Sequence, residues 1–567
     1  MISTILNAIL KLQRFLITLT ACFASLALAG GDQQSRPNLL VVMVDDMGFT
    51  DLGSFGGEIN TPNLDALAFA GVRFTNFHAA PTCSPTRAML LTGVDNHRAG
   101  LGNMAEEMAP NQRDVPGYEG YLNQNVVTVA SLLRDAGYHT YMAGKWHLGL
   151  NPETSPAARG FERSFAMLAG GASHFSDMKP AYAPTPDAKA PYRRDFDMLE
   201  ELPDNFQYSS QFYVDELINY IERDRDSGRP FFAYLAFTAP HWPIQAPTET
   251  IARYKGKYDS GYDQLFQRRL QKQINLGLLP QGVQGAERPP EGRPWHSLSA
   301  EERRLESRKM EVYAAMIDEV DVHTGRLIEY LKSRKLFDNT VVLFLSDNGA
   351  EGHGLDETWP ADTYPDIRKV IDETHDFSFE NIGKPNSYSL LGPNWAWASS
   401  PALRGSKGFT SEGGTRVAAF AYYPQRFESG EISNAPVSVR DIVPTLLDIS
   451  RVEHPGDSYK GRSVYEPSGM SLVGLLEDGV STPDLKSRVQ GIELMGKRSI
   501  LAGDWKLLHM PKPAGSGDWQ LYNLREDLAE RSDQATQNPQ KVQELLQHWQ
   551  RYSTENRVVL PNWTSGY

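Results

Sequence analysis

Five short segments carry side chains that could do chemistry together. Asp45 and Asp46 end the apolar run "PNLLVVMVDD", and Asp347 and Asn348 end "VLFLSDNG". Lys145 and His147 lie in "MAGKWHLG", His241 in "LAFTAPHWP", and Lys407 in "GSKGFTSEGGTRV". Asp45, Asp46, Asp347 and Asn348 supply only oxygen donors. Three carboxylates and an amide suit a hard divalent cation, Ca²⁺ or Mg²⁺, whereas zinc favours His and Cys. Arg87, Lys145, His147, His241 and Lys407 add cationic or hydrogen-bond-donating groups. A metal among such groups is a receptacle for a tetrahedral oxyanion. Cys83, in "TCSPTRAMLLTG", is the odd member. A thiolate there could attack, but soft sulfur is a poor partner for a hard cation, so an oxygen nucleophile makes better chemical sense. Taken singly, each segment has a plain reading as a turn, a surface group or a buried hydrophobe. Their shared placement at strand ends is what joins them.

The elements that must position these groups follow from the apolar pattern. "PNLLVVMVDD", "PFFAYLAF", "NTVVLFLSDNG" and "RVAAFAYYP" read as buried strands, and "YHTYMAGK" as a short strand running into a Gly-bounded loop. Helical spacing predicts helices after Thr61-Pro62 (with Thr61 as a hydroxyl N-cap) and over 125–137, 211–222, 302–331 and 440–450. Strand and helix alternate, which predicts an α/β fold: a large, mostly parallel sheet sandwiched by helices. Ligands of such sheets bind beyond the carboxyl ends of the strands. After about residue 455 short strands with turns, then a helix from Asn538-Pro539, predict a smaller α+β subdomain with an antiparallel sheet. The expected division is 1–29 as an export signal, 37–454 as the catalytic α/β domain and 455–567 as the subdomain. Stretches 174–210, 250–300 and 353–400 read as irregular surface insertions around the site.

The formal net charge of −14 repels polyanions, so nucleic acid is excluded as a general partner. A local cationic cluster can still override that background for a small anion. Lys11 and Arg14, the apolar run 15–28 and "Ala27-Leu28-Ala29" form the pattern of a cleaved signal peptide. The run is shorter than the roughly 20 apolar residues of a membrane span. The expectation is export to the periplasm or beyond, with no stable membrane insertion after cleavage; lipid anchoring at Cys22 is the alternative. Cleavage would leave Cys83 as the single cysteine, unable to form an internal disulfide.

"Cys83-Ser84-Pro85-Thr86-Arg87" followed by "AMLLTG" resembles the C-x-P-x-R…L-x-T-G signature of type I sulfatases, the formylglycine-dependent members of the alkaline-phosphatase superfamily. "GKWHLG", "APHWP", "SDNGAEG" and "GSKGFTSEGGTRV" resemble that family's other site segments, in the same order. "FGGEINTPNLDALA", "ARGFERSF", "RPFFAYL", "EVYAAM" and "DWQLYNL" extend the likeness, closest to the bacterial Pseudomonas-type arylsulfatases. The resemblance implies that a maturating enzyme oxidises Cys83 to formylglycine (3-oxoalanine), whose hydrate attacks sulfur on Ca²⁺, with Mg²⁺ second. It implies Asp45, Asp46, Asp347, Asn348 and the modified Cys83 as metal ligands. Arg87 matches the residue that holds the hydrate. Lys145 and His147 match groups on the sulfate and nucleophile, His241 and Lys407 groups on the ester oxygen. The implied reaction turns a small aryl sulfate and water into a phenol and inorganic sulfate through a covalently sulfated enzyme. The alternatives are a phosphonate monoester or phosphodiester hydrolase of the same superfamily, or a non-catalytic protein that binds sulfated glycans. His353, in "EGHG", reads as a solvated loop histidine.

Overall fold

The computed structural model describes residues 36–563, except 184, 360 and 363. The expected export signal and Cys22 lie outside the described residues.

The first strand, β1 (Asn38–Val44), shows why the sheet forms. All seven residues are buried, and they alternate between two separate cores. Leu40, Val42 and Val44 face one, Leu39, Val41 and Met43 the other. A strand covered on both faces needs a continuous apolar run rather than an alternating one. The same holds for β7 (Phe231–Ala236) and most of β8 (Thr340–Ser346), and β3 (His139–Lys145) is buried throughout although His139, Thr140 and Lys145 are polar. The remaining strands of this sheet are β2 (Val72–Phe74), β4 (Arg163–Met167), β5 (Tyr192–Arg194), β6 (Asp197–Leu199), β9 (Ala419–Tyr422) and β10 (Glu431–Ser433). The ten strands run in the order β10-β2-β9-β8-β1-β7-β3-β4-β5-β6. The central block β8-β1-β7-β3-β4 is parallel throughout. β9 is antiparallel to both of its neighbours, and β5 and β6 form an antiparallel hairpin, so the sheet is mixed.

The expected helices form, most with shifted ends. Helices Pro62–Ala70, Ser209–Asp224 and Ala300–Ser333 cover one face. Helices Cys83–Thr92, Val129–Asp135 and Ile442–Ser450 cover the other. The four-stranded antiparallel sheet β11 (Val489–Leu494), β12 (Lys497–Ala502), β13 (Trp505–His509) and β14 (Trp519–Asn523) carries the helix Pro539–Glu555 on one side. Two buried ion-pair sets tie it to the rest: His97 with Glu493, and Lys506 with Glu412.

Three expectations need correction. Thr61 does not cap its helix; its hydroxyl accepts from the Gly53 amide and donates to Asp65. The stretch 250–300 is not irregular, since it holds the helices Thr248–Tyr254 and Gly261–Asn275. The buried face of the second helix includes Arg269, which pairs with Asp51 at 2.6 Å and Glu58 at 2.8 Å. A charged residue on the inner face hides the apolar stripe from a periodicity reading. The stretch 353–400 also holds helices, at Pro365–Thr374 and Pro393–Ser399, and the second seats the fully buried Trp395.

Candidate active site

Four neighbouring parallel strands deliver the site at one edge. β8 runs into Asp347 and Asn348, β1 into Asp45 and Asp46, β7 into the loop carrying His241, and β3 ends on Lys145 with His147 beyond. Parallel strands in register put their carboxyl ends side by side, which is why residues 301 positions apart can touch. The Asp46 amide donates to Asp347 Oδ1 at 3.2 Å. The helix Cys83–Thr92 then brings Cys83 and Arg87 to the same edge, with all ten of its residues buried. Thr82 supplies no side-chain cap, so the helix meets the site through its own N-terminus, the end that favours negative charge. Thr86 anchors that first turn by bonding both the amide and the carbonyl of Ala80.

All ten expected site residues meet there. Cys83 Sγ lies 3.3 Å from Asp45 Oδ1 and 3.8 Å from Asp46 Oδ1. Arg87 donates Nε and Nη2 to Asp347 Oδ2 at 3.1 and 2.7 Å, and Nη1 to the Lys145 carbonyl at 2.9 Å. Lys145 Nζ bonds Asp45 Oδ2 at 2.7 Å. Lys407 Nζ bonds Asp46 Oδ2 at 2.9 Å and lies 3.3 Å from His241 Nε2. His147 lines the same pocket as Cys83, His241 and Lys407. Asp46 and His147 both hold left-handed backbone, at φ 68° and 55°. Such conformations cost non-glycine residues about 1–3 kcal/mol and gather at functional sites.

The electrostatics follow from burial and pairing. Burial pushes the Asp45 carboxyl up to about 8 despite Lys145, and it raises Asp46 against the pull of Lys407. Burial also opposes ionisation of Asp347, but Arg87 and Lys145 outweigh it and hold that carboxyl below its ordinary value. A divalent cation beside Asp45 and Asp46 would supply the positive charge that the buried carboxylates lack. Burial drives the Cys83 thiol well up, so it is a poor thiolate. Burial keeps His241 neutral, helped by Lys407 and Lys145.

The carboxylate and amide oxygens of the site fit a hard cation. Ligand atoms of Asp45, Asp46, Cys83 and His241 lie within 4.8 Å of one another. Asn348 donates its amide nitrogen to Asp46 and Gly349, while its buried Oδ1 has no hydrogen-bond partner among the described residues. A buried, unpartnered amide oxygen beside two raised carboxylates is an arrangement a cation completes.

Sequence reasoning missed several residues here. Glu351 lies 3.3 Å from Lys407 and accepts from Trp242 Nε1 at 3.3 Å. Burial opposes its ionisation, but Lys407 and then His353 bring it down to about 2. It stands within "SDNGAEG", so its position was visible but its partner was not. Correspondingly, His353 is not a solvated loop residue; its Nδ1 is 2.7 Å from Glu351 Oε1. Glu106 pairs with His147 at 2.9 Å, from a turn that carried no signal. Met104, Tyr182, Trp242 and Trp359 line the mouth of the site.

A family model described as Sulfatase matches residues 37–452. Over 540 residues the chain is 42% identical to an uncharacterized sulfatase of Schizosaccharomyces pombe, covering 93% of this chain and 95% of that one. It is 37% identical to the arylsulfatase of Klebsiella aerogenes over 460 residues, 80% of this chain and 95% of that one. A solved structure in complex with a neocarrahexaose shares the fold, with a TM-score of 0.65 at 22% identity over 94% of this chain and 95% of that one. The chain belongs to the sulfatase family, hydrolases of sulfate esters.

Proposed function

We propose that the protein is an exported arylsulfatase that works with a formylglycine made from Cys83 and a divalent cation, Ca²⁺ ahead of Mg²⁺. The observation that carries this reading is the meeting of Asp45, Asp46, Cys83 and His241 within 4.8 Å, flanked by the buried Arg87, Lys145 and Lys407. Asp45, Asp46, Asp347, Asn348 and the side chain at 83 would hold the cation. When present, the cation and the hydrated aldehyde supply a positive centre and an oxygen nucleophile with a second geminal hydroxyl. Arg87, fixed on Asp347 one helical turn from position 83, would hold the hydrate, as the family resemblance implies. Lys145 and Lys407 offer charge-assisted hydrogen bonds to sulfate oxygens. His241 is neutral, so the neighbouring Lys407 ammonium is the proton source for the leaving phenolate. Burial outweighs Glu106 and holds His147 below its ordinary value; its buried Nδ1 has no partner among the described residues. That nitrogen is the atom that would accept the proton of the second geminal hydroxyl. The aromatic mouth formed with Tyr182, Trp242 and Trp359 supports an aryl leaving group.

No helix among the described residues is long and apolar enough to cross a membrane. Export rests on the charged and apolar pattern of residues 1–29, and maturation on a formylglycine-generating partner in the host. The test is kcat/KM on an aryl sulfate, an aryl phosphodiester and a phosphonate monoester, before and after chelation. The sulfate ester should be preferred and chelation should abolish turnover. Preference for either phosphorus ester would instead assign the phosphonate or phosphodiester hydrolase activity. No turnover of any ester would favour a glycan-binding protein.

A further inference from the structure

We propose that Glu106 is a positioning residue that fixes the working tautomer of His147. The inference rests on the reading above, in which His147 accepts a proton. Glu106 sits in the short turn Ala105–Glu107, and its Oε1 is 2.9 Å from His147 Nε2. A carboxylate can only accept, so Nε2 must carry the ring proton and Nδ1 must be the basic nitrogen. Nδ1 is the atom left buried without a partner among the described residues. The pair therefore sorts the two ring nitrogens, one committed to the protein and one left for the reacting group.

Two further observations show that the contact is built in. Gly170 packs against it, and a Cβ there would stand 2.9 Å from Glu106 Oε1 and 3.1 Å from His147 Nε2. Glycine at this position leaves the room in which the two side-chain ends meet. His147 itself keeps a left-handed backbone at φ 55°, a conformation that must be held by its surroundings. The largest charged influences on the ring are Glu106, Lys145 and Arg87, and Glu107 and Lys407 line the same pocket. Lys145 and Arg87 oppose protonation, and Glu106 favours it. When a proton from the hydroxyl at position 83 reaches Nδ1, the imidazolium keeps its Nε2 proton and its charge is balanced by the Glu106 carboxylate. Burial opposes ionisation of Glu106, but His147 outweighs it and brings its carboxyl down to about 2, so it is ionised at neutral pH. Outer partners that orient a functional histidine are typically worth about 10–100-fold.

The test uses Glu106→Gln and Glu106→Asp in the full protein, with two readouts. The first is ¹⁵N NMR of histidine-labelled protein without substrate, His147 being assigned by its loss in His147→Gln. Wild type should show the Nε2–H form, and Glu106→Gln, whose amide can donate as well as accept, should admit the Nδ1–H form. The second is rapid mixing with an aryl sulfate. Glu106→Gln should keep the first release of phenol within about 3-fold and slow steady turnover by about 10–100-fold, giving a phenol burst. Glu106→Asp should recover part of that loss. Unchanged tautomer and turnover in Glu106→Gln would overturn the proposal, as would equal loss of both phases with a lowered melting temperature. If wild type turned over no aryl sulfate, the arylsulfatase reading would fail, while the NMR arm would still decide the role of the pair.

Discussion

Arg87→Met probes how the buried charges of the site are balanced. Arg87 is fully buried and makes two bonds to Asp347 Oδ2 and one to the Lys145 carbonyl. Methionine retains an unbranched apolar stem but removes the charge and all three donors. Asp347 then faces Lys145 as its remaining cationic influence, and the Lys145 carbonyl loses that donor. Truncating one partner of a buried ion pair costs about 3–5 kcal/mol. Unfolding entropy of about 2.1 cal/mol/K per residue gives about 1.2 kcal/mol/K for 567 residues. The melting temperature in chelator should therefore fall by about 2.5–4 °C. Saturating Ca²⁺ should shrink that gap, because the added charge sits among the same carboxylates and binds the folded state. The assay is differential scanning calorimetry of both proteins, with chelator and with Ca²⁺. A fall below about 1 °C in chelator would refute the ion-pair reasoning. An equal gap with and without Ca²⁺ would refute a cation shared with Asp347.

Three further outcomes are expected. Burial lowers the proton affinity of His97, but Asp95 and Glu493, each 2.9 Å away, raise it to about 9. The folded value exceeds the unfolded one of about 6.5, so this stabilisation of about 3 kcal/mol is complete below pH 6.5 and lost as pH rises through 9; denaturant melts across that window should show it, and His97→Gln should flatten it. Lys506→Met should cost about 3–5 kcal/mol in denaturant melts, since it strips the cation shared by buried Glu412 and Glu530 at 2.7 and 2.9 Å; a loss below about 1 kcal/mol would contradict the pairing. Trp359 packs 5.5 Å from Tyr182 and 6.4 Å from Trp242, so Trp359→Ala should raise KM for an aryl sulfate by about 3–10-fold and leave an alkyl sulfate nearly unchanged; equal effects on both substrates would remove the aromatic-mouth argument.

The parts of this protein legible in its sequence are those where one residue carries its own signal. β1 and β8 are apolar runs that end in acid and amide groups, so both the strands and their chemistry could be read. The rule that parallel strands present ligands at their carboxyl ends joins Asp45, Lys145, His241 and Asp347 from the sequence alone. Features set by a distant partner were hidden. Arg269 looks like a surface residue until Asp51 and Glu58 are placed beside it. Glu106 looks like one of many acids until His147 arrives from 41 positions away. The antiparallel direction of β9 depends on the path of the chain after β8, which periodicity does not encode.

The central claim is that position 83 carries an oxygen nucleophile on a cation held by acidic side chains. The most direct measurement is mass spectrometry of the peptide containing residue 83, taken from protein co-produced with a formylglycine-generating enzyme and assayed in parallel on an aryl sulfate. The account predicts an aldehyde in place of the thiol, in proportion to activity, and loss of turnover in Cys83→Ser. An unmodified thiol in fully active protein, or full activity in Cys83→Ser, would contradict it.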